Sequence, residues 1–540
     1  MKTIVEKWLL MLMTILVICI TGCTKEIKED QNLVAALEYG ISTLDPACLR
    51  LLNEQYVAGN LWEGLVRKNK KGLIEPGIAE SWEVSRDGLK YTFYLRENAR
   101  WSDGKPVTAY NFEYAWKRAL DPENNSAVVF MMYFIKNGQA YNKNNAGIDE
   151  VGVKAKDKYT LEVLLENPTP YFLEAVNYHT YYPLRSDIIK KNPDSWNRKP
   201  STLISNGPFC LEKWDYNKEI KTIKNPYYWD SNNVKLSSLT FLIERIDNDD
   251  IWTRYLYGDI DYGYVFPEDI SLADEIRSKK NNVFSEEFLS TYYVCFNSMN
   301  KPFNDLRVRQ ALELALDKNK IVKGRKKAEE VATAFVPPGI PDAESGSDFR
   351  LKGGDYLRKD FSVHNVNKAK KLLGDAGYSD ISTFPTIVVL TRGMDTAKFI
   401  EEDWEKNLGI NVEVDVCKEG LFSQKRSAKE FDVILGDWIA DFADPINFLG
   451  FLASDETFKG ILPQEYYSLI SKANIMADNT LRLDLLHNAE KTLMDSFTVI
   501  PLLYKQDAYY LKPNVKNFIK TPLGEIYFRN AYIEKQQEKK

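Results

Sequence analysis

The chain has 540 residues, of which 44% are hydrophobic and 27% are charged, with a formal net charge of -6 at pH 7. This length exceeds one ordinary hydrophobic core and predicts about three or four domain-sized units. A chain with a net negative charge lacks the excess of basic residues that attracts DNA or RNA, so we expect no nucleic-acid partner.

Residues 1–22 are predicted to be an export signal. Lys2 and Lys7 precede a 13-residue apolar run, WLLMLMTILVICI (8–20), which is too short for a permanent membrane-spanning helix. The ITGC sequence that follows resembles the bacterial lipobox, in which the cysteine is diacylated. We therefore expect Cys23 to anchor the protein to the outer face of the cell membrane. The alternative is an ordinary signal with a chance cysteine.

The first half of the chain predicts strands around one amphipathic helix. NLVAALEY (32–39) has the composition of a strand, and residues 90–97 and 158–166 alternate apolar with polar side chains, as half-buried strands do. Between them, residues 108–121 place Phe112, Ala115, Trp116 and Ala119 on one helical face.

The second half predicts alternating helices and strands. Residues 304–321 are predicted to form one helix, with Asn304 as the candidate N-cap. Its apolar face consists of Val308, Ala311, Leu312, Ala315 and Leu316. After them come the strand TIVVL, a helix ended by Gly409, the strand INVEVDV, a helix near 419–428 and the strand FDVILG. This βαβαβ succession predicts a parallel sheet, whose ligands gather at the carboxyl ends of the strands.

The stretch GDWIADFADPINFL (436–449) follows the last of these predicted strands. It places Asp437, Asp441 and Asp444 in an otherwise apolar run, and buried carboxylates need partners. The partner could be a metal ion, a substrate to be hydrolysed, a structural arginine or a cationic ligand. Asp444, before Pro445, is predicted to be a turn or capping residue.

Enzyme and metal signatures are absent from the sequence. There is no GxSxG elbow, no HExxH pair and no phosphate-binding GxxxxGK[ST] loop. The three histidines are far apart, and the cysteines beyond Cys23 lack metal-ligand spacing. We therefore expect no enzyme activity, no metal and no cofactor. Cys48, Cys210, Cys295 and Cys417 form either two disulfides or single thiols, which the sequence leaves open.

Several stretches together resemble one family, the extracytoplasmic oligopeptide-binding proteins of bacterial ABC importers, which also includes dipeptide- and nickel-binding members. The matching pieces, in chain order, are TLDP (43–46), the long stretch 61–122, NGPFCLEKW (206–214), NPYYWD (225–230), FNDLRVRQALELALDK (303–318) and GDWIADFADPINFL. No single piece is specific, but the ordered set is.

The resemblance implies an α/β fold, a periplasmic-binding-protein-like two-lobed clamp with an extra third domain. One lobe would be discontinuous, with two strand crossings near 289 and 506 acting as the hinge. The implied segments are 24–62, 186–289 and 507–540 for lobe I, 63–185 for the additional domain II, and 290–506 for lobe III.

The implied function is capture of short peptides and delivery to a permease with ATPase subunits, by a monomer tethered outside the membrane. Dipeptides, murein peptides, signalling peptides and nickel are alternative ligands within the same fold. A lipid-anchored hydrolase that uses the clustered aspartates as acid and base is the alternative class.

The resemblance assigns Asp441 to the α-ammonium of the peptide and Trp438 to the pocket wall beside it. The other implied cleft residues are Ile439, Ala440, Glu419, Arg426, Arg50, Leu52 and Tyr264. Two cationic family positions that receive a peptide carboxylate are Ala397 and Leu435 here, which predicts weak recognition of peptide C-termini. Arg426 is equally open to a structural ion pair. A cysteine pair of enteric relatives is replaced by Ser290 and Ile439.

Overall fold

We describe the protein from a computed structural model. The described residues are 30–37, 40–124, 126, 128–243, 248–264, 282–325, 329–344 and 346–535. The predicted signal segment and Cys23 lie outside these ranges. Within them, no helix combines the length and the apolar character that crossing a bilayer requires.

The strands are numbered in chain order. They are β1 (Asn32–Ala36), β2 (Val66–Lys68), β3 (Ile74–Pro76), β4 (Ala79–Val84), β5 (Lys90–Leu95), β6 (Val153–Ala155), β7 (Thr160–Leu164), β8 (Phe209–Asp215), β9 (Glu219–Lys224), β10 (Ser238–Leu242), β11 (Tyr262–Tyr264), β12 (Val283–Phe296), β13 (Glu329–Val331), β14 (Ile387–Thr391), β15 (Val412–Val416), β16 (Val433–Ile439), β17 (Val499–Leu511), β18 (Val515–Lys516), β19 (Ile519–Lys520), β20 (Ile526–Tyr527) and β21 (Tyr532–Ile533).

The α-helices are numbered in the same way. They are α1 (Leu52–Leu61), α2 (Ala109–Leu120), α3 (Gly138–Asn142), α4 (Phe172–Val176), α5 (Ser186–Ile189), α6 (Asn248–Tyr257), α7 (Leu306–Leu314), α8 (Lys318–Arg325), α9 (Phe349–Gly353), α10 (Val363–Asp375), α11 (Met394–Leu408), α12 (Glu419–Ala428), α13 (Pro445–Ser454), α14 (Gln464–Ala473) and α15 (Asn479–Asp495).

One 11-stranded mixed sheet runs through the molecule in the order β15-β14-β16-β12-β17-β11-β1-β10-β9-β8, with β13 paired to β17. The strands β14, β15 and β16 are parallel, as the βαβαβ pattern predicts. A separate antiparallel sheet, β4-β5-β7-β6, lies within residues 79–164.

The long strands β12 and β17 join the two halves of the large sheet. Their antiparallel pairing is interrupted between Glu287 and Thr291, where the register shifts. On one side of this shift β17 pairs with β11, and on the other side β12 pairs with β16. The predicted crossings near 289 and 506 fall at this irregularity, while the exact division into domains stays a prediction.

Separate apolar cores support the two halves of the sheet. One core extends from β1 through the 79–164 sheet to the C-terminal strands. The segment 290–506 has a core on each face of its sheet, one centred on α13, α14 and α15 and the other on α7, α10 and α11. The predicted helix α2 buries the four side chains of its apolar stripe in the first core.

The single helix predicted over 304–321 is wrong, and so is its N-cap. The structure has two helices, α7 and α8, and Asp305 rather than Asn304 caps the first, accepting from the Arg307 N–H at 2.9 Å. The break is stabilised by side chains of α11. Trp404 Nε1 donates to the Leu312 carbonyl and Asn407 Nδ2 donates to the Ala315 carbonyl, each at 2.9 Å.

The four cysteines in the described residues are free thiols. Cys295 and Cys417 are buried, and Cys48 and Cys210 are half-buried. Of the two alternatives left open by the sequence, single thiols are therefore correct.

Candidate functional site

The last strand of the parallel set is longer than the sequence predicts. FDVILG was predicted to end at Gly436, but β16 continues to Ile439, so Asp437 and Trp438 lie on the strand. Asp441 stands two residues beyond its end. Alternation along β16 points Leu435 into the core that packs on α11, and Ile434 and Trp438 toward the core on α13.

One edge of β16 has no strand partner near its carboxyl end, within the described residues. β14 pairs with β16 only at Val433 and Ile434, whereas β12 accompanies β16 to Ile439. A cavity of about 150 Å³ lies beside this free edge, lined by Gly436, Asp437 and the start of α11. Backbone groups at such an edge can pair with an added extended chain.

The Asp441 carboxylate is half-buried and has no cationic partner among the described residues. Burial raises its pKa to about 6, and a hydrogen bond from the Asn447 side chain opposes that rise. In the described part of the chain, no lysine, arginine or histidine makes an ion pair with this carboxylate. Desolvating a carboxylate disfavours its charged form, so the site favours a cation supplied from outside.

Asn447, on α13, holds the loop that carries Asp441. Its Oδ1 accepts from the Asp441 backbone N–H at 3.2 Å and from Trp438 Nε1 at 2.9 Å. The Trp438 indole stacks on Phe451, with ring centroids 3.7 Å apart and planes 13° from parallel. Trp438 is thereby fixed as a wall beside the carboxylate.

Tyr178, from the segment 63–185, lies close enough to Asp441 for the charge of that carboxylate to act on its phenol. Burial raises the pKa of Tyr178 well above its usual value, and the charges of Asp441 and Glu525 raise it further. The Gln55 side chain hydrogen-bonds the Tyr178 phenol. Three stretches that are distant in sequence therefore meet around Asp441.

An aromatic contact joins the segments 63–185 and 290–506 next to this point. Tyr171 stacks on Phe442, with centroids 5.2 Å apart and planes 6° from parallel. Phe134 meets both rings edge-on. Because Phe442 follows Asp441 directly, this contact links the loop that carries Asp441 to the segment 63–185.

Asp437 has a protein partner on each oxygen. Its Oδ1 accepts from Arg392 Nη2 and its Oδ2 from Lys505 Nζ, both at 2.7 Å. Burial raises the pKa of Asp437, but Lys505 and Arg392 outweigh that effect and hold it below its usual value. The sequence left this aspartate unassigned; the structure makes it the centre of an ion-pair cluster.

Asp444 caps a helix, as predicted. Its side chain accepts from the Ile446 N–H at 3.0 Å at the start of α13, with Pro445 in the first turn. Arg482 on α15 also holds it through two hydrogen bonds, of 2.9 and 2.6 Å. Both side chains are buried, so this is the structural arginine that one of the sequence alternatives required.

The remaining predicted residues lie in separate local environments. Arg426 forms an ion pair with Asp455 and lies over the Phe458 ring. These contacts are the ones that a structural role of Arg426, the alternative to a role in the cleft, would require. Glu419 is largely exposed and lies 3.4 Å from Arg392 Nη1. Arg50 is exposed and Leu52 half-buried at the start of α1.

Other positions singled out in the sequence lie on the strands or in the core. Tyr264 ends β11 and is paired with Tyr509. Ile439 and Ser290 are direct cross-strand partners, and Ala440 N donates to the Leu289 carbonyl at 2.9 Å. Ala397 and Leu435 are both buried in the core that packs on α11.

Sequence reasoning missed Tyr178, Asn447, Arg392 and Lys505. The available signals were weak: Asn447 follows Asp444 and Pro445, which predict a helix start, and Arg392 lies two residues after the predicted strand TIVVL. No group of three or more potential metal ligands occurs among the described residues.

The chain matches the family model described as "Bacterial extracellular solute-binding proteins, family 5 Middle" over residues 74–460. The oligopeptide-binding protein OppA of Bacillus subtilis (strain 168) is 33% identical over 532 residues, covering 95% of both chains.

Two solved structures share the fold closely. The unliganded open form of MppA, a periplasmic murein tripeptide binding protein, has a TM-score of 0.81 and 30% identity, covering 95% of this chain and 99% of MppA. OppA of Haemophilus influenzae in complex with RPPGFSPFR has a TM-score of 0.74 and 28% identity, covering 94% and 100%.

These matches confirm the α/β, periplasmic-binding-protein-like fold implied by the resemblance. They also place the chain among proteins that bind solutes for transport rather than among enzymes. The chain belongs to the bacterial extracellular solute-binding proteins of family 5.

Proposed function

We propose that this protein is an extracytoplasmic lipoprotein that captures short peptides and delivers them to an ABC importer. The observation that carries the proposal is the Asp441 carboxylate, which is half-buried and has no cationic partner among the described residues. The α-ammonium of a peptide supplies that missing charge. The names of the relatives, which bind oligopeptides and a murein tripeptide, support the same ligand class.

The free edge of β16 supports the mode of binding. An extended peptide that starts at Asp441 and runs along Leu435–Ile439 would pair its backbone with groups that no described strand engages. Main-chain pairing is common to all peptides, so it gives affinity without strong sequence preference. The cavity beside Asp437 would take one of the peptide's side chains.

The domain arrangement in this proposal follows the predicted segments. Lobe I (24–62, 186–289 and 507–540) and lobe III (290–506) would close on the peptide about the irregular pairing of β12 with β17. The additional domain, 63–185, would contribute Tyr178 and the Tyr171 contact. Glu419, Arg50, Leu52 and Tyr264 would line the cleft at its periphery.

Titration calorimetry with short alanine-rich peptides tests the proposal. We expect a peptide with a free amino end to bind, to be recovered intact, and to bind at least thirtyfold more tightly than its N-acetylated form. Equal binding of the two forms would contradict the role of Asp441. Turnover of the peptide would favour the hydrolase alternative.

The lipid anchor gives a separate prediction. Cys23→Ser should release the protein from the membrane fraction, because stable attachment of such a chain requires the acyl groups on that cysteine. Immunoblots of membrane and soluble fractions measure the distribution. A Cys48→Ser variant is the matched control and should stay in the membrane fraction. Retention of the Cys23→Ser protein would contradict the lipoprotein assignment.

Recognition of the peptide C-terminus is predicted to be weak. Ala397 and Leu435 lie in the apolar core, and Arg426 is engaged by Asp455. Amidating the C-terminus should therefore change affinity less than about tenfold, or under about 1.4 kcal/mol. A hundredfold loss in calorimetry would contradict this and show that another cation, such as Arg50 or Arg426, receives the carboxylate.

A further inference from the structure

We infer that the cavity beside the free edge of β16 is a subsite for an acidic side chain of the bound peptide, and that Arg392 is the residue that sets this preference. The inference rests on the proposed function, because it needs a peptide that lies along β16. It adds to that function the charge of the side chain that the cavity accepts.

The cavity lies beside the path proposed for the peptide. Its volume is about 150 Å³, and Leu435, Gly436 and Asp437 of the free edge form one wall. Residues between Thr391 and Thr396, where β14 leads into α11, form the adjoining wall. An engineered protein cavity of about 150 Å³ holds a benzene molecule, so this cavity has room for one side chain of medium size.

The walls of the cavity are polar. Tyr292, Arg325 and Arg392 line it together with the hydroxyl side chains of Thr391 and Thr396. An apolar side chain placed there would displace water from these groups without giving them new hydrogen-bond partners, which costs free energy. The cavity therefore favours a polar or charged side chain.

Two cations at the cavity share one carboxylate. Asp437 accepts from Arg392 Nη2 at one oxygen and from Lys505 Nζ at the other, both at 2.7 Å. These three side chains together carry one positive charge in excess. Burial raises the pKa of Asp437, yet the nearby cations hold it below its usual value, which agrees with an excess of positive charge.

Arg325, the other cation of the cavity wall, is already balanced. It donates to both oxygens of Glu329, at 2.8 and 3.1 Å. Its guanidinium and Lys505 Nζ each lie 4.6 Å from the centre of the Tyr292 ring. The excess positive charge therefore belongs to the cluster of Arg392, Asp437 and Lys505.

Arg392 is the cation of this cluster that a ligand can reach more easily. Its side chain is 46% exposed, whereas that of Lys505 is 22% exposed. A second ion pair joins Arg392 Nη1 to Glu419 at 3.4 Å, but the Glu419 side chain is 69% exposed, so water and salt screen the pair. Asp395, the remaining carboxylate of the cavity wall, is exposed as well. A peptide carboxylate held between β16 and Arg392 would bind the guanidinium more strongly than Glu419 does.

Titration calorimetry with five-residue peptides tests the inference. Each peptide has a free amino end, an amidated C-terminus and alanine at the other positions, with glutamate, glutamine or lysine placed in turn at positions two to five. The amidated end ensures that only a side chain supplies a carboxylate. We expect glutamate to bind about tenfold more tightly than glutamine at one position, because charge-assisted hydrogen bonds are stronger than neutral ones.

Variants of Arg392 identify the residue responsible. Arg392→Met should bring the ratio of glutamate to glutamine affinity close to one, while affinity for the all-alanine peptide should change less than about threefold. Arg392→Glu should reverse the preference in favour of lysine at the same position, which a purely structural role of Arg392 would not produce. Binding of the all-alanine peptide shows that each variant is folded.

Arg307→Met is the matched control. The Arg307 side chain is 47% exposed and also pairs with an aspartate, Asp305, at 2.6 Å. It lies at the start of α7 and does not line the cavity. We expect this variant to keep the glutamate preference of the unmodified protein.

Three results would overturn the inference. They are equal binding of glutamate and glutamine at every position, tighter binding of lysine to the unmodified protein, and a glutamate preference that persists in Arg392→Met. Tighter binding of lysine would show that the exposed Asp395 and Glu419 govern the cavity. All three leave the proposed function intact as long as the all-alanine peptide binds, whereas failure of every peptide in the series to bind would overturn the proposed function itself.

Discussion

Asp441→Ala is expected to weaken binding of free-amine peptides by about thirtyfold to several thousandfold, which corresponds to about 2 to 5 kcal/mol. The reason is desolvation. Closure around the ligand removes water from both the carboxylate and the ammonium, so each charge depends on the other. Calorimetry at pH 7.5, where Asp441 is ionised, measures the loss.

N-acetylation of the peptide removes the other member of the same pair. Its effect on the unmodified protein should match that of Asp441→Ala. The two losses of affinity should not add, because either change alone already abolishes the carboxylate–ammonium interaction. Asp441→Asn is the shape-matched variant and should bind free-amine peptide almost as poorly as Asp441→Ala. Additive losses would show that Asp441 and the peptide amino end act independently.

Patterns within one element could be predicted from the sequence. The helix α12 was predicted near 419–428 and spans Glu419–Ala428, and α11 ends at Leu408 with Gly409 in the left-handed region at a φ of 78°. Periodicity and capping signals act over a few residues, so the sequence contains them directly. Asp444 belongs to this class as well, since an N-cap is a local feature.

Features that depend on distant partners could not be predicted in this way. The break between α7 and α8 uses side chains of Trp404 and Asn407, about ninety residues away. β16 extends past Gly436 because β12 accompanies it to Ile439. Local propensity cannot report such tertiary contacts, which often override it.

The candidate site shows the same division. Asp441 was identified by resemblance, because the motif around it is contiguous. The residues around it could not be identified in the same way, because Tyr178 comes from another segment of the chain. Lys505, the partner of the nearby Asp437, is likewise 68 residues away along the chain. Three aspartates that look alike in sequence therefore have three different environments. Asp437 lies in an ion-pair cluster, Asp441 has no cationic partner in the part of the chain that the structure describes, and Asp444 caps a helix and pairs with the buried Arg482.

The second prediction with a large expected effect concerns the buried ion pair between Asp444 and Arg482. Arg482→Ala should lower the free energy of unfolding by about 3 to 5 kcal/mol, because it leaves the buried Asp444 carboxylate without its cation. Arg482 is 2% exposed, bonds both Asp444 oxygens and lies 4.9 Å from the centre of the Tyr171 ring. Urea denaturation followed by circular dichroism measures the change.

Two further variants separate charge burial from other effects. Lys491→Ala, on the same helix α15, removes an exposed pair with Asp495 and should cost no more than about 1 kcal/mol. The double variant Asp444→Asn with Arg482→Met removes both buried charges and should recover much of the stability lost in Arg482→Ala, since neither charge is left uncompensated. A loss below about 1 kcal/mol for Arg482→Ala would mean that water reaches Asp444, and that the loop carrying Asp441 is held mainly by the stacking of Phe442 on Tyr171 and by Asn447.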